Sequence, residues 1–494
     1  MSRALLAHAS KYTIGNLLVM VAGFVSFPLF TRLFAVDEYG LMSLVATTLM
    51  LAVGLGKIGF QHSMVRFYAE TRAGNNAYTL PQYFATVLGA MSALAVVATL
   101  LWLLTVELIP ATAWKDPRMV TLLRLTAVLV FIRIFESVFM NFLRAEQRSG
   151  AYSAYMVVRK YVGLGVIIVT VLYVVHGLYG FYVGAILGEA LVVSALGIYF
   201  LRHQPVSLSK FQPTLFRSML MFGLPMVGYE IGGVILSVGD RYVLEAIAGP
   251  EQLGFYSASY NFCEYVQNTL LVSVGQAVIP MYTRIWEEKG AQETIRFISR
   301  VLHFYLMLGA LVVAVLASVG NDVLALLASE KYRPGGVIVP WVIAGMVLEG
   351  GLPIVAAGIF IRKQTQTLML LVLMSAALNI GLNFALVPRF GIVGSAVATL
   401  LSYMMLTGSA MVLGHRRLAV PFPFTALLKF AAIAVVAYLV MGVVDTSLHP
   451  MVEIVLRCLV GGLVFLLLVL LLDPASRQMA QSAWGRARLV LQSS

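Results

Sequence analysis

The chain has 494 residues, 60% of them hydrophobic and 11% charged, with a net charge of +12 from 34 Lys and Arg against 22 Asp and Glu. Soluble proteins devote roughly 25% of their residues to charges, so the composition excludes a soluble fold of this size and makes lipid the solvent of most of the chain. Two cysteines, Cys263 and Cys458, both inside apolar runs, exclude a disulfide framework, and no spacing suits a metal.

In chain order, Arg3 and Lys11 precede an apolar run that continues to Phe34 without a small-residue cleavage site, which reads as an uncleaved first span. Runs long enough to cross a bilayer then predict an all-α polytopic protein of fourteen spans near 12–34, 40–62, 82–106, 119–143, 153–175, 178–200, 217–239, 253–279, 297–319, 336–360, 367–387, 391–413, 424–444 and 451–472. With the N-terminus in the cytoplasm, 23 of the 34 basic residues fall on that side, Arg159 and Lys160 among them, nine on the other, and Lys57 and Arg133 within spans. That bias predicts both termini inside. The basic balance also suits anionic lipid at the surface or a cavity that attracts an anionic substrate; nucleic acid is not an expected partner.

An offset of 214 recurs along the chain. It relates Gly40 to Gly254, Tyr68 to Tyr282, Arg148 to Arg362, Gly177 to Gly391 and Gly180 to Gly394, while Val36 faces Pro250. Six spans separate equivalent positions, so the halves insert with the same orientation as parallel repeats. The expected organisation is an N-terminal lobe, 1–213 (spans 1–6), a C-terminal lobe, 214–415 (spans 7–12), and an extension, 416–494 (spans 13–14 and a cytoplasmic tail), with the lobes around a central cavity. The charged knot Asp37-Glu38-Tyr39-Gly40 reads as a tight turn between spans 1 and 2, with Asp37 capping the incoming helix and its copy at Pro250-Glu251.

The stretch TRLFAVDEYG, its copy DRYVLEAIAGPEQLGFYS and the two six-span halves resemble the polysaccharide transporters of the multidrug/oligosaccharidyl-lipid/polysaccharide flippase superfamily, nearest to Wzx-type O-antigen and exopolysaccharide flippases. Val36 departs from the family's usual Pro, which the copy retains as Pro250. The resemblance implies movement of an undecaprenyl-diphosphate-linked oligosaccharide from the cytoplasmic to the periplasmic leaflet of a bacterial inner membrane, alongside other polysaccharide assembly proteins. It also implies that spans 1, 2, 7 and 8 line the central cavity.

A charge inside the bilayer costs at least about 2.5–3.5 kcal/mol on insertion scales, so each one asks for a reason. Lys57 and Arg133 are candidates for the diphosphate, unless Lys57 snorkels to the interface or Arg133 simply neutralises Glu136, three residues on. Arg32 and Arg241 are candidates to receive the headgroup at the far side, and Tyr229 and Tyr260 to contact sugar. Glu230, Glu264 and Glu349 are candidates for coupling to a proton or sodium gradient, and Glu189 for a buried structural acid. Pro225, Gly228, Gly232 and Gly233 in span 7, with Pro28 in span 1, suggest a hinge, against a reading as packing glycines. No catalytic constellation, Walker loop or zinc pattern occurs, and the seven histidines are scattered. No cofactor is expected. A drug antiporter of the same superfamily is the principal alternative; a membrane polymerase or ligase is less expected, because such enzymes carry a large catalytic loop and this chain has no connection long enough for one.

Overall fold

The structure, a computed structural model, describes residues 3–204, 206–445, 449–479 and 481; within helices the side chains of residues 3–13, Pro225, Met226, Tyr229, Val272, Ser273 and Gln276 lie outside that description. All regular structure among the described residues is helical, as lipid demands of a chain that must satisfy its backbone internally. The α-helices are α1 (Arg3–Leu33), α2 (Val36–Gly56), α3 (Phe60–Arg72), α4 (Leu80–Leu108), α5 (Arg118–Leu125), α6 (Ala127–Ala145), α7 (Ser149–Tyr173), α8 (Gly177–His203), α9 (Pro213–Val238), α10 (Asp240–Ala248), α11 (Pro250–Leu270), α12 (Val272–Leu327), α13 (Val339–Val355), α14 (Ala357–Ile361), α15 (Thr365–His415), α16 (Phe424–Val443) and α17 (Pro450–Leu472).

Ten helices among the described residues, not fourteen, are long and apolar enough to cross a membrane. Two causes account for the difference. Spans 11 and 12 run together in α15, interrupted by non-helical backbone at Gly391. Spans 4, 7 and 8 fall on α5 with α6, on α9 and on α11, none of which belongs to the ten. Span 2 is also shorter than expected. It stops at Gly56, and the chain passes through Ile58 at φ 48° and Gly59 at φ 69° before α3 begins. Positive φ on a β-branched residue is costly, so the fold imposes this break against local preference.

The backbone supports the repeat and corrects its register. Gly177 and Gly391 both take positive φ at the offset of 214. Between them and Tyr68/Tyr282 the offset becomes 216: Gly74 matches Gly290 and Gln147 matches Lys363, all at positive φ. Arg148 and Arg362 are therefore not equivalent; the turn containing Gln147 is copied at Lys363.

The charged knot also differs in detail. Glu38, not Asp37, caps α2, accepting a hydrogen bond from the Ala35 N–H at 3.0 Å. Asp37 instead pairs with Arg118 at 2.7 Å, which also holds Asp116. That hydrogen bond from Arg118 keeps the Asp116 carboxyl below its usual pKa. The glycines of the motif are required by contact. A Cβ on Gly40 would lie 2.1 Å from the Pro250 carbonyl oxygen, and one on Gly254 would lie 2.0 Å from that of Val36.

The chain divides into two compact units, Met1–Ser257 with Val372–Gly391, and Ala258–Leu371 with Ile392–Ser494. In the first, Phe84 of α4, Phe142 of α6 and Phe200 of α8 interlock, with centroids 4.9 Å (Phe84–Phe142) and 4.8 Å (Phe142–Phe200) apart. Glycines on α8 let α7 come close: a Cβ on Gly184 would stand 2.7 Å from Ile167 Cα. These two packings fix α6, α7 and α8 around a shared polar interior. In the second unit, Phe430, Ile433, Ala437 and Met441 of α16 form the centre of an apolar cluster with α12 and α17.

Candidate functional site

The first unit holds two polar centres. The first lies at the break between α2 and α3. Gly59 and Gly223 of α9 meet backbone to backbone; a Cβ on either would fall 2.2–2.3 Å from the other's carbonyl oxygen. This contact brings the first turn of α3 against α9. Gln61 Nε2 donates to Glu230 Oε2 at 2.8 Å, and His62 Nε2 lies 3.1 Å from the same oxygen. Lys57, at the C-cap of α2, lies within electrostatic range of Glu230 and also of Glu136, Arg159 and Arg133. It makes no ion pair among the described residues, whereas Glu230 is met by His62. The sequence reading had Lys57 and Glu230 but missed His62. The available signal was LGKIGF, a lysine between glycines just ahead of Gln-His.

The second centre joins α6, α7 and α8. Arg133 donates twice to Glu189, at 3.0 and 2.8 Å. Arg159 pairs with Glu136 at 3.0 Å and reaches Glu189 at 3.5 Å, while the Tyr155 hydroxyl donates to Glu136 at 2.7 Å. Arg133 therefore neutralises Glu189 on another helix, and not Glu136 on its own. Arg159 and Lys160 are not cytoplasmic loop charges. Arg159 sits ten residues into α7, about 15 Å along its axis. Both line a cavity of about 360 Å³ with Arg133, Glu189, Ser26 and Phe30.

The repeat shows how unusual this centre is. At the offset of 216 Arg133 falls on Glu349 of α13, and at the offset of 214, which holds from Gly177 on, Glu189 falls on Tyr403 of α15. Those two are also joined, Tyr403 donating to the Glu349 carboxylate, which accepts from Gln267 Nε2 at 2.8 Å as well. The same position is thus an ion pair in one repeat and an acid–phenol–amide contact in the other. Arg159 and Lys160 fall within Leu373–Ala376, which holds no charge.

The other expected site residues are dispersed. Arg241 is 7% exposed and donates to Thr47 Oγ1 at 3.0 Å, so it ties α10 to α2 here and does not stand open to a headgroup. Arg32 is exposed in the last turn of α1. Tyr260 is 4% exposed and offers no open ring face; the side chain of Tyr229 lies outside the described residues. Glu264 is exposed on α11. Helix α9 runs unbroken through Pro225, Gly228, Gly232 and Gly233, where Pro225's side chain is outside the description. A Cβ on Gly232 would meet Leu373 Cδ2 at 2.9 Å, so packing explains that glycine, whereas nothing lies within 4 Å of one on Gly233. Helix α1 likewise continues through Pro28, with the Thr31 hydroxyl donating to the Phe27 carbonyl at 2.9 Å. The groups of three or more His, Cys, Asp or Glu that could hold a metal ion are absent among the described residues.

Comparison with known proteins places this architecture. An uncharacterized membrane protein of Methanocaldococcus jannaschii is 24% identical over 203 residues, 40% of this chain and 39% of that one, so the match spans well under half of the relative. The fold is similar to that of a lipid II flippase, MurJ, in an inward closed conformation, with a TM-score of 0.77, 15% identity, and coverage of 93% of this chain and 98% of that one. It is also similar to an inward-facing multidrug resistance MATE family transporter of the MOP superfamily, with a TM-score of 0.69, 15% identity, and coverage of 83% and 94%. The pattern of the family described as polysaccharide biosynthesis protein matches residues 5–286, more than half of the chain. The chain, a multi-pass membrane protein with the fold of the MOP-superfamily flippases and transporters, belongs to that polysaccharide biosynthesis family.

Proposed function

We propose that the protein moves a polyprenyl-diphosphate-linked oligosaccharide from the cytoplasmic to the outer leaflet of a bacterial inner membrane by alternating access. The termini are then cytoplasmic and the product feeds surface polysaccharide assembly. The observation that carries this reading is Lys57, a half-buried ammonium with no ion pair among the described residues, held where α2 is broken. A mobile point charge at a helix break suits a phosphate that must bind and leave. The family match supports a polysaccharide substrate. Glu230, with His62 and Gln61 upon it, is the group suited to carry a proton or sodium ion in return.

A drug–cation antiporter is the second reading, favoured by the MATE-like fold and by Glu230. The two separate in one experiment. A strain lacking the protein should accumulate lipid-linked repeat units on the cytoplasmic face and lose surface polysaccharide, with Lys57→Ala failing to restore it and Lys57→Arg restoring part. Unchanged surface glycan in a clean deletion without a redundant flippase, joined by raised sensitivity to cationic drugs, would assign the antiporter instead. Glu230→Gln should remove the dependence of transport on the ion gradient, measured in proteoliposomes.

A further inference from the structure

We propose that the cavity between α1, α6, α7 and α8 is a separate binding site for a single phosphate headgroup, held by Lys160, Arg159 and the open edge of Arg133. Its assignment to the transported lipid rests on the flippase reading; the site itself does not. Three cations and Glu189 line the cavity, and Glu136 lies behind Arg159. Two carboxylates against three cations leave one positive charge over. Arg133 is engaged by Glu189 along one edge, and Arg159 divides its contacts between Glu136 and Glu189, but Lys160 has no carboxylate partner among the described residues. A surplus cation at this depth is expensive unless an anion joins it.

The fold does not require these charges. The second repeat fills the equivalent position with Glu349 and Tyr403, and places no charge where Arg159 and Lys160 fall. A purely structural role would have been met by the same neutral solution. The size is selective: about 360 Å³ lies at the small end of ligand pockets, which run from about 300 to 1,000 Å³. It admits a phosphate or diphosphate and excludes an oligosaccharide. Val19, Met156, Leu164 and Ile167 form the remaining wall, an apolar surface that suits the first carbons of a lipid ester better than a free ion. Guanidinium and ammonium together give the fork and the point charge that phosphate oxygens accept.

The test uses the full chain in detergent and three probes: farnesyl diphosphate, dioleoylphosphatidylglycerol and inorganic pyrophosphate. Binding is measured by calorimetry with Lys160→Gln, Lys160→Arg and, as control, the exposed Lys289→Gln. We expect Lys160→Gln to weaken farnesyl diphosphate about tenfold or more, since one charged hydrogen bond is lost, with Lys160→Arg and Lys289→Gln within about threefold of the parent. Because Lys160 is not part of the ion network, its melting temperature should not move. Equal competition by dioleoylphosphatidylglycerol with the same dependence on Lys160 upholds the site and makes its occupant a resident lipid. Pyrophosphate binding as tightly as the prenyl ester upholds it for a free phosphate. Parent-like affinity of Lys160→Gln for all three probes overturns the inference, even if the deletion strain shows that the protein is a flippase. Loss of affinity in Lys160→Gln upholds it even if that strain shows that the protein is not.

Discussion

The two units spend their charges differently. The first keeps Arg133, Glu136, Arg159, Glu189 and Glu230 in the interior of its helices, with Lys57 and His62 at the break between α2 and α3. The second anchors its ion pairs on carboxylates near helix ends: Asp322 with Arg333 and Arg457, and Asp473 with His303 and Lys429. In its interior, Glu349 is served by neutral partners, and a cavity of about 540 Å³ is lined almost wholly by apolar residues such as Leu306, Val347, Ala434 and Tyr438. Charges at helix ends can reach the headgroup region, where they cost little; charges at mid-helix do not have that relief. The difference teaches that one fold accepts either interior, so the ionic interior is not a requirement of the fold.

The largest expected effect comes from exchanging the two solutions. The double variant Arg133→Glu/Glu189→Tyr copies the second repeat's contact into the first. It should fold and insert, judged by its melting temperature and monodispersity, yet lower transport by about a hundredfold or more, as misplaced binding groups do. Arg133→Met alone, leaving a buried carboxylate short of its partner, should cost about 3–5 kcal/mol of stability. Wild-type transport in the double variant would break the comparison, because the first unit's charges would then be interchangeable with neutral groups.

A charge at the end of a helix in the second unit should act on stability and not on transport. Asp473, just beyond α17, is 2% exposed. Burial alone would raise its pKa, but hydrogen bonds from Lys429, Ser476 and His303 hold it well below the usual carboxylate range. A carboxyl depressed in the folded state contributes stability that is fully present above its unfolded pKa of about 4 and is lost as pH falls through the folded value. Asp473→Asn should therefore lower stability by about 2–3 kcal/mol near pH 7, and the melting temperature of the variant should fall less than the parent's as the pH drops below 4. At the other end of the scale of burial, Arg118→Gln releases Asp37 and Asp116 from a half-exposed site and should cost no more than about 1 kcal/mol by denaturant titration.

The smallest effect sharpens the question of movement. Gly233→Ala adds a methyl group into open space on an unbroken α9 and should stabilise the helix by about 0.5–1 kcal/mol. If transport slows in step with that stiffening, α9 bends during the cycle. Unchanged transport argues against a hinge at Gly233, as contact already does for Gly232.

How far the sequence could be read follows from which interactions are local. Spans, the duplicated turn and the isolated basic residues Lys57 and Arg133 are properties of short windows, and they were legible. The exchange of partners was not: Arg133 and Glu136 share a helix face, but Glu189 comes to Arg133 only because glycines on α8 admit α7 and aromatic rings lock α6 to α8. Arg159 and Lys160 sit near the start of the expected span in sequence, and their place inside the helix follows from where α7 begins, at Ser149. The break after Lys57 was hidden because Ile58 is a residue that local preference would keep out of positive φ. Tyr260 looked available because tyrosine suits sugar, while its burial depends on contacts remote in the chain.

The mutual approach of Gly40 and Gly254 has a symmetry of its own. Each glycine makes room for the carbonyl four residues before the other, Pro250 for Gly40 and Val36 for Gly254. A patch that touches its own copy in this way is what two identical subunits present across a dyad. Such a seam admits no side chain on either copy, because a Cβ there collides with main chain and not with a side chain that could turn aside. Val36 and Pro250 can differ, since only their carbonyls enter the seam, whereas both copies carry glycine where a Cβ would collide. The turn is therefore a local dyad inside one polypeptide, two copies of one motif closed on each other's main chain.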